Sequence, residues 1–350
     1  MNHSTPGSSG NRSTPGSTRE HSGSAPSVPL STALVAFTNA KFAEGLSPRT
    51  IDSYTDDLGK WIERTGDRDV SGVTGSDVSA YLAWLRTGYQ PQRLNGKDHP
   101  LSPKTIRNVY VAISSFFRWA ERELSIPYPL REVRMPRTPK PAIPEFTREE
   151  VMGMVKACTY SREATTVLRH SFIMRRPTAS RDIALLLMLL DTGMRASEIC
   201  SLAVGDVDLK TGKVEIKQGP QGGAKGGKGR TVYMGRASRR ALWLYLSKRE
   251  DGREPDSPMF VARGRRPLSR GTLRLMVTRM GKKAGVQNAY PHKFRHTFAI
   301  TYLRSGGDVF TLQLLLGHGS LDMVRDYSRI AKSDVALAHR KASPVDNWRL

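Results

Sequence analysis

Cysteine is scarce: Cys158 and Cys200 are the only two in 350 residues. They are too few for a disulfide framework and too isolated for a metal cluster, which is consistent with a reducing compartment. No apolar run reaches the roughly 18 residues of a membrane span. The longest, Ile183 to Leu190, suits a buried helix. The N-terminus lacks the apolar stretch of a signal peptide, so the expectation is a cytoplasmic protein with no membrane partner. Acidic residues are also short. Against 55 Lys and Arg stand 32 Asp and Glu, a formal net charge of +23. Such a surface attracts polyanions through its long-range field and through counterion release. Nucleic acid is the first candidate partner and an acidic membrane surface the second.

Residues 1–27 are mostly Ser, Gly, Pro, Thr and Arg. They have nothing to pack and are expected to be disordered. Helical signals begin near Leu30. Two helices open on nearly the same phrase, Leu46-Ser47-Pro48-Arg49-Thr50-Ile51 and Leu101-Ser102-Pro103-Lys104-Thr105-Ile106. Each supplies a Ser N-cap followed by Pro at the first helical position. Ile51, Tyr54, Leu58 and Trp61 form one apolar stripe; Ile106, Val109, Ile113, Phe116 and Ala120 form another. Arg49 and Lys104, beside the caps, suit phosphate contacts at helix N-termini. Arg107, one turn on, joins the candidate nucleic-acid set. A third helix is expected over roughly Asp77 to Arg86, making residues 28–134 a helical bundle. Residues 135–145, with repeated Pro among basic residues, read as an extended linker.

A second domain, expected over 146–335, opens on the capping box Thr147-Arg148-Glu149-Glu150, with Phe146 and Val151 placed as a hydrophobic staple. The basic stretch Ser161 to Arg181 has no clear periodicity and receives no assignment. Val214 and Ile216 alternate on one strand, and Val232 and Met234 on another. Between them the Gly- and Lys-rich Gly219 to Gly229 reads as the tip of a β-hairpin. Helices fill the remainder, and 336–350 form a C-terminal tail.

Several chemistries fail on spacing. His292 and His296 lie four apart, as zinc ligands do, but Lys293 stands where a metalloprotease needs its Glu, and Arg295 would set a cation beside the metal. Gly222 to Lys228 fits G-x-x-x-x-G-K, yet Gly229 replaces the Ser/Thr that holds magnesium, and the segment runs into a strand where a P-loop opens a helix. Gly317-His318-Gly319-Ser320 lacks the G-x-S-x-G spacing of a serine nucleophile. What remains is a set of nitrogen donors without an acidic cluster. Such a set suits a phosphate, whose transition-state charge arginine forks and histidine donors can neutralise. A tyrosine can then attack and leave a covalent phosphotyrosine.

At this point the sequence resembles the tyrosine recombinase (phage integrase) family over nearly the whole chain after the tail. Thr192-Gly193-Met194-Arg195-Ala196-Ser197-Glu198 looks like the first arginine box. Pro291-His292-Lys293-Phe294-Arg295-His296 looks like the H-x-x-R box. Leu315-Leu316-Gly317-His318 looks like the L-G-H box, with Tyr327 nine residues beyond His318. Val324 stands where the family often has Thr. The resemblance implies a mainly α protein: an N-terminal helical SAM-like core-binding bundle, then an α+β catalytic domain with a small β-sheet. It further implies that Arg195 and Arg295 clamp the scissile phosphate, and that His292 and His318 donate to it or assist proton transfer. Tyr327 would attack phosphorus, leaving a 3′-phosphotyrosyl bond and a free 5′-hydroxyl. Alignment of Ala224 to Arg230 with G-K-G-x-K-x-R makes Lys225 the acid for the leaving oxygen, Lys228 the runner-up, and Arg230 a further DNA contact. Glu198 would support the clamp, and His296 would be structural or supporting.

By the same resemblance the partners are a double-stranded DNA recombination site and further copies of the chain, four in the synaptic complex. Lys332 to Leu350, with Val335, Leu337 and Ala338 as an apolar face, could pack on a neighbouring copy. Neither ATP, a metal nor another cofactor is called for. The expected function is site-specific recombination for integration, excision or resolution of DNA. Alternatives are a type IB topoisomerase, a catalytically silent DNA-binding protein, or a basic structural or RNA-binding protein.

Overall fold

A computed structural model describes residues 27–91, 99–139, 142–161, 163–166, 169–217, 229–318, 324–327, 339–340 and 343–348. The chain divides into two compact units, one up to residue 141 and one from residue 142 onward. Outside the described residues lie the stretch expected to be a disordered tail, the hairpin tip with Lys225 and Lys228, and most of the C-terminal segment with Val335, Leu337 and Ala338.

The first unit is built of four helices: α1 (Leu30–Ala43), α2 (Pro48–Thr65), α3 (Gly75–Thr87) and α4 (Pro103–Glu123). The repeated Leu-Ser-Pro phrase starts α2 and α4 in the same way. Thr50 N–H donates to Ser47 Oγ at 3.3 Å, and Thr105 N–H to Ser102 Oγ at 3.1 Å. Pro at the first position costs no hydrogen bond, because that N–H has no helical partner. At α3 Thr74 and Asp77 form a reciprocal capping box. Ile51, Leu58 and Trp61 of α2 are buried, as is the whole α4 stripe. Leu58, Trp61 and the α4 stripe share one core with Phe37 of α1, and Trp61 and Phe117 lie edge to face with ring centroids 5.6 Å apart. Arg49, Lys104 and Arg107 are all exposed at the starts of these helices.

The second unit begins with α5 (Arg148–Thr159), whose Thr147–Glu150 capping box is formed. Phe146 and Val151 beside it are both buried. The unassigned basic stretch becomes an antiparallel pair, β1 (Ala164–Thr166) and β2 (Arg169–Phe172), followed by a turn into α6 (Ala179–Thr192). Two of its arginines, Arg176 and Arg181, are held by one carboxylate. Asp182 is fully buried and pairs with Arg176 at 2.8 Å and Arg181 at 2.7 Å. The two strands are three and four residues long, too short for a periodicity to announce them.

Helix α6 carries the expected apolar run and is the central element, with α5, α8 (Arg236–Leu246) and α10 (Pro291–Arg304) packed on it. After α6 come α7 (Ala196–Ser201) and the antiparallel strands β3 (Lys213–Ile216) and β4 (Arg230–Tyr233). Val214 faces Val232 across the ladder, and both are buried. Helices α9 (Arg270–Lys283) and α11 (Val309–Leu316) complete the shell, and residues 324–327 form a helical turn that carries Tyr327. Among the described residues no helix is long and apolar enough to cross a membrane.

Gly193 ends α6 at φ 61°, in the left-handed region. A Cβ there would stand 2.3 Å from Phe298 Cδ1 and 3.0 Å from Leu316 Cδ2. Alanine therefore meets both backbone strain and overpacking. Gly193→Ala is expected to destabilise the protein by roughly 2–4 kcal/mol. A urea midpoint equal to that of the unsubstituted protein would show that the turn can relax.

Candidate active site

Two helix ends create the site. The first is the sharp exit from α6 at Gly193, which sets Arg195 at the N-cap of α7. The second is the C-terminus of α11, where Gly317 caps the helix at φ 62°. The last carbonyls of a helix have no helical partner and carry the negative end of its dipole. Here they receive three guanidinium groups. Arg230 Nε donates to Leu315 O at 2.7 Å, Arg295 Nη2 to Leu316 O at 2.7 Å, and Arg195 Nη2 to Gly317 O at 3.2 Å. A Cβ on Gly317 would press to 3.1 Å from Arg230 Cδ and Nη1. The leucine and glycine of the L-G-H box thus act through their backbones, as a cradle for arginines.

Glu198 is the counterweight. Fully buried one turn into α7, it receives Arg195 N–H at 2.7 Å and Arg195 Nη1 at 2.9 Å. Arg230 adds a bidentate pair at 2.8 and 2.7 Å. Burial alone would push this carboxyl up, but the hydrogen bonds and charges of Arg230 and Arg195 hold it down at about 2. Arg230, expected among the DNA contacts, therefore has its guanidinium engaged by Glu198, with its side chain 9% exposed.

Glu198→Gln leaves Arg230 buried without its countercharge, which is expected to cost about 3–5 kcal/mol. The folded-state pKa of Glu198 lies below its ordinary 4.5, so this stabilisation is present at neutral pH and is lost as pH falls toward about 2. Acid titration of stability checks this: the Gln variant should be less stable at pH 7 and should lose less on acidification. Equal urea midpoints for the two proteins at pH 7 would contradict it.

Arg295, on α10, is 1% exposed and has no carboxylate against it among its hydrogen-bond partners in the described residues. Nη1 donates to Gly193 O at 2.8 Å, and Nη2 lies 2.7 Å from His318 Nε2. Burial, and the repulsion of Arg195, pull its pKa down to about 9. A guanidinium has donors only, so His318 Nε2 must accept and the proton of that ring resides on Nδ1. His318 is neutral, its pKa drawn to about 4 by burial and by Arg295 and Arg195. Its Nδ1 is buried and has no hydrogen-bond partner among the described residues. A buried donor left unpaired costs about 1–3 kcal/mol. It fits a site that an anion enters.

His292 and His296 lie one turn apart on α10, their rings edge to face with centroids 4.5 Å apart. Desolvation, followed by Arg295 and Arg195, depresses the pKa of His292. Desolvation, followed by His292 and Arg295, brings that of His296 to about 4. Tyr327 is buried, its ring parallel to His318 with centroids 6.4 Å apart. Its hydroxyl lies 2.8 Å from His296 Nδ1. Burial raises its pKa, and Arg295 and Arg195 partly offset that.

The structure thus brings Arg195, Glu198, His292, Arg295, His296, His318 and Tyr327 into one constellation, with Arg230 beneath it. It leaves Arg49, Lys104 and Arg107 on the first unit, while Lys225 and Lys228 fall outside the described residues. Sequence reasoning missed the three carbonyls at the end of α11 and the contact between His296 and Tyr327. The glycine closing an apolar helix just before His318 was the one available signal for the former.

Comparison with known proteins agrees with this geometry. Residues 147–334 match the model of the phage integrase family, and residues 34–126 match that of the phage integrase N-terminal SAM-like domain. Tyrosine recombinase XerC of Bacillus pumilus is 30% identical over 312 residues, covering 85% of this chain and 91% of that protein. Tyrosine recombinase XerA of Thermococcus kodakarensis is 29% identical over 306 residues, covering 87% of this chain and 92% of that protein. Among solved structures, the Tn1549 transposon integrase in complex with a circular intermediate DNA superposes with a TM-score of 0.65 at 18% identity. That match covers 84% of this chain and 94% of the integrase. The XerH site-specific recombinase bound to palindromic difH substrate superposes with a TM-score of 0.62 at 18% identity, covering 91% of this chain and 85% of the other. These structural likenesses are ones of fold.

Proposed function

The chain belongs to the phage integrase family and is a tyrosine site-specific recombinase, and from that premise we propose how its own residues cut and rejoin double-stranded DNA. Tyr327 Oη attacks the scissile phosphorus, forming a 3′-phosphotyrosyl bond and releasing a 5′-hydroxyl. Arg195 and Arg295 bind the non-bridging oxygens and neutralise the charge that grows there. His318 donates through Nδ1, and His292 donates beside it or assists proton transfer. Lys225 protonates the leaving oxygen, with Lys228 as the alternative. The phosphotyrosine keeps the energy of the phosphodiester, so a second 5′-hydroxyl can reverse the step on another strand without ATP. Arg49, Lys104 and Arg107 bind the backbone of the same duplex through the first unit. Four copies act on two duplexes.

The observation that carries this reading is the buried Arg295, with no carboxylate among its hydrogen-bond partners in the described residues, beside His318 Nδ1, which has no partner among them, and the hydroxyl of Tyr327. Donors of this kind suit an anion, and a tyrosine hydroxyl lies among them.

The test is covalent trapping. The protein is incubated with fragmented source DNA in EDTA and stopped with SDS, and the protein-linked ends are sequenced. Adducts at a recurrent sequence are the expected result. Adducts scattered without preference would point to a topoisomerase-like activity. Tight DNA binding without any adduct would point to a silent DNA-binding protein.

A further inference from the structure

Tyr327 needs somewhere to send its proton. A buried phenol with a raised pKa does not ionise on its own at neutral pH. Among the described residues its hydroxyl has one hydrogen-bond partner, His296 Nδ1 at 2.8 Å. The two residues are 31 positions apart, on α10 and on the turn at 324–327. The rings are tilted by 50° with centroids 5.7 Å apart, so the contact is made through the hydrogen bond and not through stacking.

We infer that His296 holds the Tyr327 hydroxyl and accepts its proton as the phosphotyrosyl bond forms. The proposal rests on the reading of Tyr327 as nucleophile. In cleavage the Oη–P bond forms and the P–O5′ bond breaks. The Oη proton passes to His296 Nδ1, and the leaving O5′ takes its proton from the hairpin lysine. In rejoining, His296 returns its proton to Oη as the tyrosine leaves.

Charge logic supports this. In the free site burial, followed by the neighbouring His292 and Arg295, disfavours a proton on His296, so the ring stays neutral and Nδ1 can accept. A bound phosphate brings negative charge against Arg295 and Arg195, and the transition state adds more. The ring is thus poised to take a proton when the substrate is in place. His292, whose edge touches the His296 ring, is left to donate to the phosphate. Lys293, between them on α10, is engaged by the Phe146 ring at 4.2 Å and by Glu150 at 3.8 Å.

The experiment measures the single-turnover rate of SDS-resistant adduct formation on a library of nicked duplexes with randomised centres. The nick lets the cleaved strand diffuse away and traps the product. A proton acceptor of this kind contributes on the order of 100-fold, so H296A should slow adduct formation by about that factor while filter retention of the library is unchanged. Added imidazole should restore part of the H296A rate. H296N offers an oxygen near the place of Nδ1 that can accept a hydrogen bond but cannot carry the proton away. It should be as slow as H296A and insensitive to imidazole, and it serves as the test if H296A fails to fold. An H296N rate within about threefold of wild type would overturn the proposal, because the hydrogen bond would then be merely a positioning contact. A faster H296A would overturn it as well, marking the contact as a resting-state latch. Adducts from Tyr327→Phe, or none from the wild type, would instead sink the reading of the nucleophile on which the inference stands.

Discussion

Tyr327→Phe binds DNA and forms no covalent adduct. The loss expected is at least about 10,000-fold in adduct formation, the scale on which removal of a nucleophile acts. The change is chemically narrow. Tyr327 packs among Ala299, Ile300, Leu303, Leu312, Leu316 and Val324. Phenylalanine keeps that packing and forfeits only the hydrogen bond to His296, worth about 0.5–1.5 kcal/mol net. Melting temperature and DNA retention should therefore stay close to those of the unsubstituted protein while SDS-resistant complexes disappear. Persistent adducts in this variant would assign the nucleophile to another side chain and with it reject the reading of the whole constellation.

Arg295→Lys should reduce the cleavage rate by about 1,000-fold, at the upper end of what one preorganised donor contributes. The guanidinium is anchored by Gly193 O, Leu316 O and His318 Nε2. A lysine ammonium is a single point on a flexible stem and cannot meet three fixed acceptors while presenting donors to phosphate. Burial would also depress its pKa and discharge part of the population.

The same burial makes Arg295 a burden on the free protein. Its folded pKa of about 9 is below the ordinary 12.5, so the folded state holds this proton less tightly than the unfolded chain does. The cost of burying this charge is carried by the free protein at neutral pH. Anion binding relieves it. Duplex DNA should accordingly raise the melting temperature of the unsubstituted protein more than that of Arg295→Lys. Equal shifts for the two would mean that the phosphate does not reach this group.

Much of the local structure was written in short stretches of chain. Ser47-Pro48 and Ser102-Pro103 start helices because a hydroxyl and a ring with no N–H meet the needs of a first turn, whatever packs around them. The α4 stripe is buried because its spacing matches one helical face. The residue types of the site were readable too, since a phosphate reaction without a carboxylate cluster calls for Arg, His and a nucleophile. Their partners were not. Arg195 finds Gly317 O 122 residues away, and Arg230 finds Leu315 O 85 residues away. Both acceptors are backbone carbonyls, which every residue carries and no sequence distinguishes. Arg230 was expected at the DNA and is held by Glu198, a choice made by the approach of β4 to α7 and α11. His296 met Tyr327 only because α10 and the turn at 324–327 pack against each other. Periodicity and capping act within a few residues. Which buried charge faces which carbonyl is decided by how whole helices end against one another, and that required the folded chain.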